Sequence, residues 1–262
     1  MAQNKAEYRA PALEKALDIL ELLSQSKRPL TKKEISERLE KTVNEIFRML
    51  EVLKVREYVL HDEVQGTYEL SLKMFEMSNL HLPMKRVLKS AAPELVELSE
   101  LVQQSCHLSV YDRGNMLVVA RQESPYKMGF SLSLGARIDI FGSGSGIVML
   151  AFTDEESRTK RLDSSGASRK EKAFVLQEVE KTMRLGFYVG ESPQVSGLTN
   201  ISLPILSLHG EANAVLTIPY LTLNAMSLHH QVVDREQVIV YAQRSAQRLT
   251  KVLGGKWHLP EV

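Results

Sequence analysis

Two helix-start signals lie close together near the N-terminus of this chain. Residues 31–34 (TKKE) and 42–45 (TVNE) each have a threonine followed three positions later by a glutamate. In such a capping box the hydroxyl accepts a hydrogen bond from a free backbone N–H, and the glutamate reaches back to the backbone of the threonine. Two short helices joined by a tight turn are therefore predicted, which is the outline of a helix-turn-helix. The apolar residues that follow the boxes at helical spacing are Ile35, Leu39, Ile46, Met49, Leu50 and Leu53.

The segments on either side extend this outline to a complete domain. Apolar residues recur three and four positions apart over residues 13–23 and predict a first helix. Alternating residues at 58–61 and 67–70 flank a polar turn with a glycine, which predicts a β-hairpin. Three helices followed by a hairpin are the order of a winged helix-turn-helix, which we place at residues 10–71. The residues before it are expected to form a polar arm.

The predicted helix-turn-helix is locally basic. Between Lys27 and Arg56 there are nine basic and five acidic side chains, an excess of four, whereas the whole chain has a net charge of +1. Cations beside helix N-termini suit phosphate oxygens, and outward residues early in the second helix suit base edges in the major groove. There asparagine pairs well with adenine, arginine with guanine and an apolar side chain with a thymine methyl. For any single lysine, an ordinary solvated charge is an equally good interpretation. The predicted DNA-binding residues are Thr31, Lys32, Lys33, Thr42, Val43, Asn44, Phe47, Arg48 and Lys54.

Beyond the hairpin the chain is predicted to form a linker and a second domain. Helical patterns cover residues 71–83 and 84–103, and Pro93 is expected to kink or restart the second of these helices. We assign residues 72–89 to a linker helix and residues 90–255 to an α+β domain. The predicted strands are 106–112, 116–122, 127–134, 137–141, 199–207 and 212–220, and the predicted helices are 147–152, 154–162, 169–185 and 227–253.

The composition excludes several classes of protein. Cys106 is the only cysteine, which excludes an intrachain disulfide and zinc sites built on cysteine pairs. No apolar run approaches the roughly 20 residues of a membrane span, and the polar N-terminus lacks the apolar core of a secretion signal. The small net charge argues against non-specific coating of nucleic acid or membranes. We therefore expect a cytoplasmic protein without membrane contact.

Several N-terminal segments resemble the IclR family of transcriptional regulators in order and spacing. They are residues 13–23 (LEKALDILELL), 35–39 (ISERL), 48–50 (RML) and 57–59 (EYV). Two segments depart from the family pattern. Residues 40–42 (EKT) stand where the family usually has Gly-Leu-Pro, and residues 44–47 (NEIF) stand where it has Ser-Thr-Val-His. Because the apolar stripe is intact, these departures concern the base sequence that is read and not the fold.

The C-terminal half carries the same resemblance. The matching segments are residues 134–138 (LGARI), 145–146 (SG), 185–187 (LGF) and 201–205 (ISLPI). The resemblance implies a GAF-like sensor, a curved antiparallel sheet with helices on its faces and a ligand cup on one side. Asn200 stands where family members often have cysteine, and Gly190-Glu191 stand where an acidic pair is usual. The effector-binding residues implied by the resemblance are Gly144, Ser145, Gly190, Glu191, Asn200, Thr217 and Pro219.

A glycine-rich loop at residues 142–146 (GSGSG) opens the apolar helix predicted at 147–152. Free N–H groups and the helix dipole at such a start favour a small anion such as a carboxylate. Tight packing of a buried helix is an equally good explanation of the glycines, whose spacing matches neither a P-loop nor a dinucleotide fingerprint. With the implied hydroxyls and amide, the loop suits a hydroxylated or keto acid. Arg121 and Ser131 are further polar candidates.

The residues give little support to an enzyme. Cys106 and His107 are neighbours on a predicted strand, so their side chains point to opposite faces and cannot form a catalytic pair. His229 and His230 lack spaced partners for a metal, and no paired carboxylates accompany the glycine-rich loop. No catalytic residue, metal or cofactor is therefore predicted.

The predicted function is that of a DNA-binding regulator, more a repressor than an activator, whose operator binding responds to a small organic acid. Its expected partners are a double-stranded, (pseudo)palindromic operator, a small carboxylate effector and further copies of the chain in a dimer or tetramer. The first helix and the linker are expected to supply the contacts between copies. Two alternatives remain, a GAF-like enzyme or redox protein, and a DNA-binding protein whose C-terminal domain only oligomerises.

Overall fold

A computed structural model describes residues 10–80, 82–126, 129–223 and 233–260, with only the backbone described at residues 79, 82 and 83. The predicted N-terminal arm and the pair His229-His230 lie outside the described residues. The chain divides into two compact units, Met1–Lys85 and Arg86–Val262. This division falls inside the segment predicted as a linker.

The first unit is a three-helix core with a small sheet and a fourth helix. Its core consists of the inward side chains of the predicted helices, and Ile19, Ile35, Ile46 and Leu50 are fully buried. The three strands lie in the order β1-β3-β2 and are antiparallel. The helices are α1 (Pro11–Gln25), α2 (Lys32–Arg38), α3 (Val43–Val55) and α4 (Lys73–Leu80), and the strands are β1 (Leu30–Thr31), β2 (Val59–Asp62) and β3 (Thr67–Leu70).

Both predicted capping boxes are present. Thr31 caps α2 and Thr42 caps α3, with the glutamate three residues on accepting a hydrogen bond from the threonine backbone at 2.8 and 3.0 Å. In the turn between the helices, Glu40 has a φ of +53°. This left-handed conformation costs a residue with a side chain energy that glycine avoids, and it is the position where the resemblance led us to expect glycine.

The second unit is built on a six-stranded sheet in the order β6-β5-β4-β9-β8-β7, in which every neighbouring pair is antiparallel. Together with the first unit this confirms the predicted α+β class. The strands are β4 (Cys106–Asp112), β5 (Asn115–Gln122), β6 (Arg137–Asp139), β7 (Tyr188–Glu191), β8 (Leu198–Leu206) and β9 (Ala212–Leu221). The helices are α5 (Leu82–Val102), α6 (Gly144–Ala151), α7 (Glu155–Ser164), α8 (Arg169–Leu185) and α9 (Arg235–Val252). No helix in the described ranges is long and apolar enough to cross a membrane.

Helices cover both faces of this sheet. On one face Leu216 and Ile218 of β9 pack with apolar residues of α5 and α9. On the other face Val215 packs with residues of α6 and α8. Because side chains alternate along a strand, Thr217 points to the same face as Val215. The face beneath α6 therefore combines apolar residues with the polar residues described below.

Two local predictions are wrong, and one of the two outcomes predicted for Pro93 does not occur. The segment 127–134 is not a strand over its described residues, because the edge of β5 is already occupied: the Gly135 N–H donates to the Val118 carbonyl at 2.8 Å, and β6 follows. Pro93 does not restart the helix, since α5 is continuous and its buried apolar stripe outweighs the lost backbone hydrogen bond. The last helix includes neither residue 233 nor residue 234, because it begins at Arg235, where the Asp234 carboxylate caps it by accepting from the Gln237 N–H at 2.8 Å; the predicted residues 227–232 lie outside the described residues.

The predicted linker segment is helical on both sides of one residue. α4 runs to Leu80 and α5 runs from Leu82, and residue 81 between them lies outside the described residues. Leu82 and Pro83 belong to α5, so no helix ends at Pro83. The strands β1 and β7 were not predicted, because segments of two and four residues are too short for a periodic signal.

Candidate functional site

The exposed face of α3 forms a candidate nucleic-acid interface in the first unit. Its inward face carries buried Ile46 and Leu50. The side chains of Asn44 and Arg48 are exposed on the other face, and Val43 and Phe47 are each 42% exposed. Four residues on two successive turns of an accessible helix are the arrangement that reads base edges in a major groove.

The N-terminus of α3 is held in place by Glu45. Its carboxylate accepts hydrogen bonds from the Thr42 backbone and hydroxyl at 3.0 and 2.7 Å, and it forms an ion pair with Lys15 of α1. The ammonium group of Lys15 and the bonds from Thr42 together lower the pKa of this carboxyl to about 2. Glu45 thus orients α3 and is not available to accept a hydrogen bond from a cytosine amine.

The predicted cationic residues differ in their pairing. Lys33 and Lys54 form exposed ion pairs of 3.8 and 3.7 Å with Glu37 and Glu51, which are weak enough to exchange for phosphates. Among the described residues, no acidic side chain pairs with Arg48. The structure brings Lys32 and Phe47 of α3 together. Lys54 lies apart from them, about 16 Å along the helix axis from the start of α3 at the standard helical rise.

A small cavity that opens to solvent lies in the second unit between the sheet and the start of α6. Of the predicted effector-binding residues, Gly144, Ser145, Asn200, Thr217 and Pro219 line it. Gly190 and Glu191 are not among the described lining residues, although Ser192, Pro193 and Gln194 just after them are. Gly142 and Ser143 of the predicted glycine-rich loop also line it, and the lining residues that sequence reasoning missed are His107, Phe130, Leu132, Ile138, Ser192, Pro193, Gln194 and Leu198.

The start of α6 presents backbone donors to this cavity. Ser143 caps the helix, with its Oγ accepting from the Gly146 N–H at 3.1 Å and donating to the Asp139 carbonyl at 2.6 Å. The first N–H groups of a helix have no intrahelical acceptor, so those of Gly144 and Ser145 remain available. A helix start with free donors, hydroxyls on both sides and a positive dipole end favours an anionic group.

A polar row crosses the sheet beneath the helix start. His107 of β4 is in register with Thr217 of β9, Thr217 with Ser202 of β8, and Ser202 with Tyr188 of β7. Residues directly opposite one another share a face of the sheet. The hydroxyls of Ser202 and Thr217 are buried and hydrogen-bonded at 2.9 Å. Of this row, His107 and Thr217 line the cavity and give it polar groups within an otherwise apolar sheet.

Two predicted glycines make room for the ring of Tyr188. A Cβ on Gly144 would lie 2.7 Å from Tyr188 Cδ1 and 2.9 Å from Ser202 Oγ, and a Cβ on Gly190 would lie 2.3 Å from the Tyr188 hydroxyl. Gly190 thus leaves room for the Tyr188 hydroxyl. The position of Gly144 shows how closely α6 approaches β7 and β8.

Cys106 and His107 lie on opposite faces of β4, as predicted. The Cys106 thiol is buried in the core beneath α5, donates to the Leu95 carbonyl at 3.3 Å, and has its pKa raised to about 12 by burial. A protonated thiol is a poor nucleophile. His107 lines the cavity instead, and burial lowers the pKa of its imidazole to about 4. No cluster of His, Cys, Asp or Glu able to hold a metal is found among the described residues.

The predicted polar candidates Arg121 and Ser131 bond to each other at 3.3 Å, and Arg121 also pairs with Glu123 at 2.9 Å. Neither is among the described residues that line the cavity. Their polar groups are satisfied outside it.

Comparison with protein families matches both units. Residues 12–63 match the IclR helix-turn-helix domain, and residues 81–254 match the C-terminal domain of bacterial transcriptional regulator IclR. The HTH-type transcriptional regulator KdgR of Escherichia coli K12 is 25% identical over 215 residues, covering 80% of this chain and 81% of that protein. The HTH-type transcriptional repressor AllR of Salmonella typhi is 24% identical over 223 residues, covering 83% and 82%.

Solved structures share the fold at lower identity. The IclR of Thermotoga maritima has a TM-score of 0.71 at 20% identity and covers 92% of this chain and 98% of that one. An IclR homologue from Microbacterium hydrocarbonoxydans, complexed with 4-hydroxybenzoate, has a TM-score of 0.74 at 16% identity with the same coverage. With both units and most of its length matched, the chain belongs to the IclR family of bacterial transcriptional regulators, non-enzymatic proteins that join a DNA-binding helix-turn-helix to an effector-binding C-terminal domain.

Proposed function

We propose that this chain is a repressor whose operator binding is modulated by a small organic acid bound beneath α6. The observation that carries the ligand class is the start of α6, which directs the free N–H groups of Gly144 and Ser145 at a cavity that also holds the Asn200 amide and the Thr217 hydroxyl. Free amides at a helix start favour a carboxylate, and the remaining polar groups suit a hydroxyl or keto group on the same molecule.

Operator recognition is assigned to α3. Val43, Asn44, Phe47 and Arg48 read base edges, while Thr31, Lys32, Lys33, Thr42 and Lys54 bind phosphates. This assignment is supported by the exposure of the reading residues and by the basic character of the helix-turn-helix. We expect the protein to act as a dimer or tetramer on a (pseudo)palindromic site, because a two-fold arrangement of the protein matches a two-fold arrangement of half-sites.

Two features of relatives support the repressor and ligand assignments without deciding them. AllR, a relative over most of the chain, is a repressor. The homologue from Microbacterium hydrocarbonoxydans binds 4-hydroxybenzoate, an acid with a carboxylate and a hydroxyl. A ligand can change operator affinity only if it binds one arrangement of the protein better than the other.

The test uses the full chain, a mobility shift on DNA upstream of its own gene, and a panel of acids. The panel contains benzoate, butyrate and pyruvate. For benzoate and for butyrate it also contains two hydroxylated derivatives, one with the hydroxyl next to the carboxylate and one with the hydroxyl at the far end. We expect at least one acid to raise the melting temperature, since a ligand specific for the folded state stabilises it, and to change the mobility shift.

The outcomes separate the alternatives. Stabilisation without any change in DNA binding would reject the coupling, and no stabilisation by any acid would reject the ligand class. If the protein shifts the DNA and forms oligomers, and no acid changes either result, a C-terminal domain that only oligomerises would be favoured. Expression of a reporter from the same upstream DNA distinguishes repression from activation.

A further inference from the structure

His107 is the one group with a titratable side chain among the described residues that line the cavity. It is 4% exposed, and its Nε2 atom is buried with no hydrogen-bond partner in the described parts of the chain. Buried polar side-chain atoms almost always have a partner. An orphan nitrogen on the wall of a ligand cavity therefore marks a place where the ligand supplies the partner.

The position of His107 separates it from the start of α6. The helix start lies over Ser202 on β8, since a Cβ on Gly144 would come within 2.9 Å of Ser202 Oγ. His107 is on β4, with β9 between the two strands, so it lies two strand spacings away, or about 10 Å across the sheet. A ligand that touches both must therefore place its second polar group well away from its carboxylate.

The chemistry of the imidazole selects that second group. Burial lowers the pKa of His107 to about 4, so the ring is neutral near neutral pH. In a neutral ring Nε2 either donates or accepts, depending on the tautomer, and a hydroxyl can complement both forms whereas a keto oxygen complements only one. The neighbouring Thr217 hydroxyl is already bonded to Ser202 and leaves this nitrogen unsatisfied.

We propose that His107 determines ligand specificity by hydrogen-bonding, through Nε2, a hydroxyl at the end of the ligand remote from the carboxylate that α6 holds. This inference rests on the proposed function and sharpens its ligand class. It places an ω-hydroxy or para-hydroxy acid in the cavity and disfavours acids whose hydroxyl is next to the carboxylate. Leu132, Ile138 and Leu198 supply apolar surface for the part of the ligand between the two polar groups.

The experiment measures, by calorimetry, the affinity of the full chain for benzoate, butyrate and their hydroxylated derivatives. The two hydroxylated derivatives of each acid contain the same atoms and differ only in the position of the hydroxyl. We expect the remote-hydroxy isomer to bind about tenfold more tightly than both its parent acid and the adjacent-hydroxy isomer. In His107→Phe this preference should fall to less than about twofold, while affinity for the parent acid is kept. His107→Gln, which keeps a hydrogen-bonding group, should retain part of the preference.

The matched control is His209→Phe, the same substitution at an exposed turn residue outside the cavity, which should leave every affinity unchanged. Should His107→Phe not fold, the comparison of His107→Gln with wild type and the proton count below decide the matter. Titrations in buffers of different ionisation enthalpy should show no proton uptake when the remote-hydroxy acid binds. Uptake of a proton would mean that a charged imidazole binds the carboxylate, which overturns the assignment.

Two kinds of failure are distinguishable. Wild-type protein that binds none of the acids defeats the proposed function itself. Wild-type protein that binds acids without preferring the remote hydroxyl, or a His107→Phe protein that keeps the preference, defeats only the role of His107.

Discussion

The ammonium group of Lys32 lies 4.5 Å from the centre of the Phe47 ring, joining the first residue of α2 to the reading face of α3. A cation over an aromatic face is an attractive arrangement at this distance. Lys32 is therefore held beside the N-terminal half of α3, where a phosphate contact and a base contact would occur side by side. Phe47 remains 42% exposed, so its ring edge is still accessible.

Arg48→Ala should weaken binding to the operator by about 1–3 kcal/mol and relax discrimination at one base pair, because a bidentate contact to guanine is lost. Arg56→Ala removes the same charge at the far end of α3. It should weaken binding to the operator and to random DNA equally, and by less than Arg48→Ala weakens binding to the operator. Competition mobility shifts with both DNAs measure the difference. Unchanged discrimination in Arg48→Ala would remove this residue from the reading face.

Asn200→Leu should abolish the effector response while leaving operator binding intact, because it replaces the only asparagine amide among the described lining residues with an apolar group. Asn213→Leu is the matched control, since Asn213 is exposed on β9 and outside the cavity. Mobility shifts with and without the stabilising acid report both properties. A normal response in Asn200→Leu would contradict the cavity assignment.

Glu40→Gly should raise the free energy of unfolding by about 0.5–1 kcal/mol, because Glu40 has a φ of +53° that glycine adopts without strain. Glu63→Gly, in the hairpin turn where φ is not positive, should instead lower it through the greater freedom of the unfolded chain. Urea unfolding, followed by a signal that reports on the first unit, measures the free energy of unfolding of both variants. If both substitutions destabilise equally, the turn is not strained at Glu40.

Glu45→Gln should lower the urea midpoint near neutral pH, and the difference from wild type should shrink as the pH falls. The pKa of Glu45 is lowered from 4.5 to about 2 in the folded chain, chiefly by Lys15 and then by Thr42. A lowered folded-state pKa stabilises the protein fully above the unfolded value, and this contribution is lost as the pH falls toward 2. Glu63→Gln, outside both capping boxes, controls for the general effect of acid. A constant difference at every pH would show that the Glu45 charge contributes nothing.

The DNA-binding unit could be predicted because its signals are local. A capping box is complete within four residues, and an apolar stripe within a few turns, so the chain itself specifies where α2 and α3 begin and which faces are buried. What these signals leave out are the short strands β1 and β7. Their formation depends on the strands that they pair with. β1 pairs with β3, which lies more than 30 residues later, and β7 pairs with the next strand, β8.

The ligand cavity could be predicted from the glycine-rich loop that opens α6 and from the family resemblance. These two signals reach Ser145, Asn200 and Thr217, but neither reaches His107, whose sequence neighbour Cys106 lies on the opposite face of β4. The one local signal of His107 is a polar residue alternating with apolar neighbours in a buried strand, which describes many core histidines equally well. The segment 127–134 misled for the same reason, since its alternation is typical of a strand but the neighbouring edge is taken by β6.

The sequence by itself determined the helix starts, the order of the elements and, through residues that resemble a family, the class of protein. Only the tertiary structure decided that His107, Thr217 and Ser202 form one row beneath α6, because residues more than 90 positions apart meet through the pairing of β4 with β9 and of β9 with β8. Strand pairing depends on the whole sheet and its two helical layers. No short stretch of sequence contains that information.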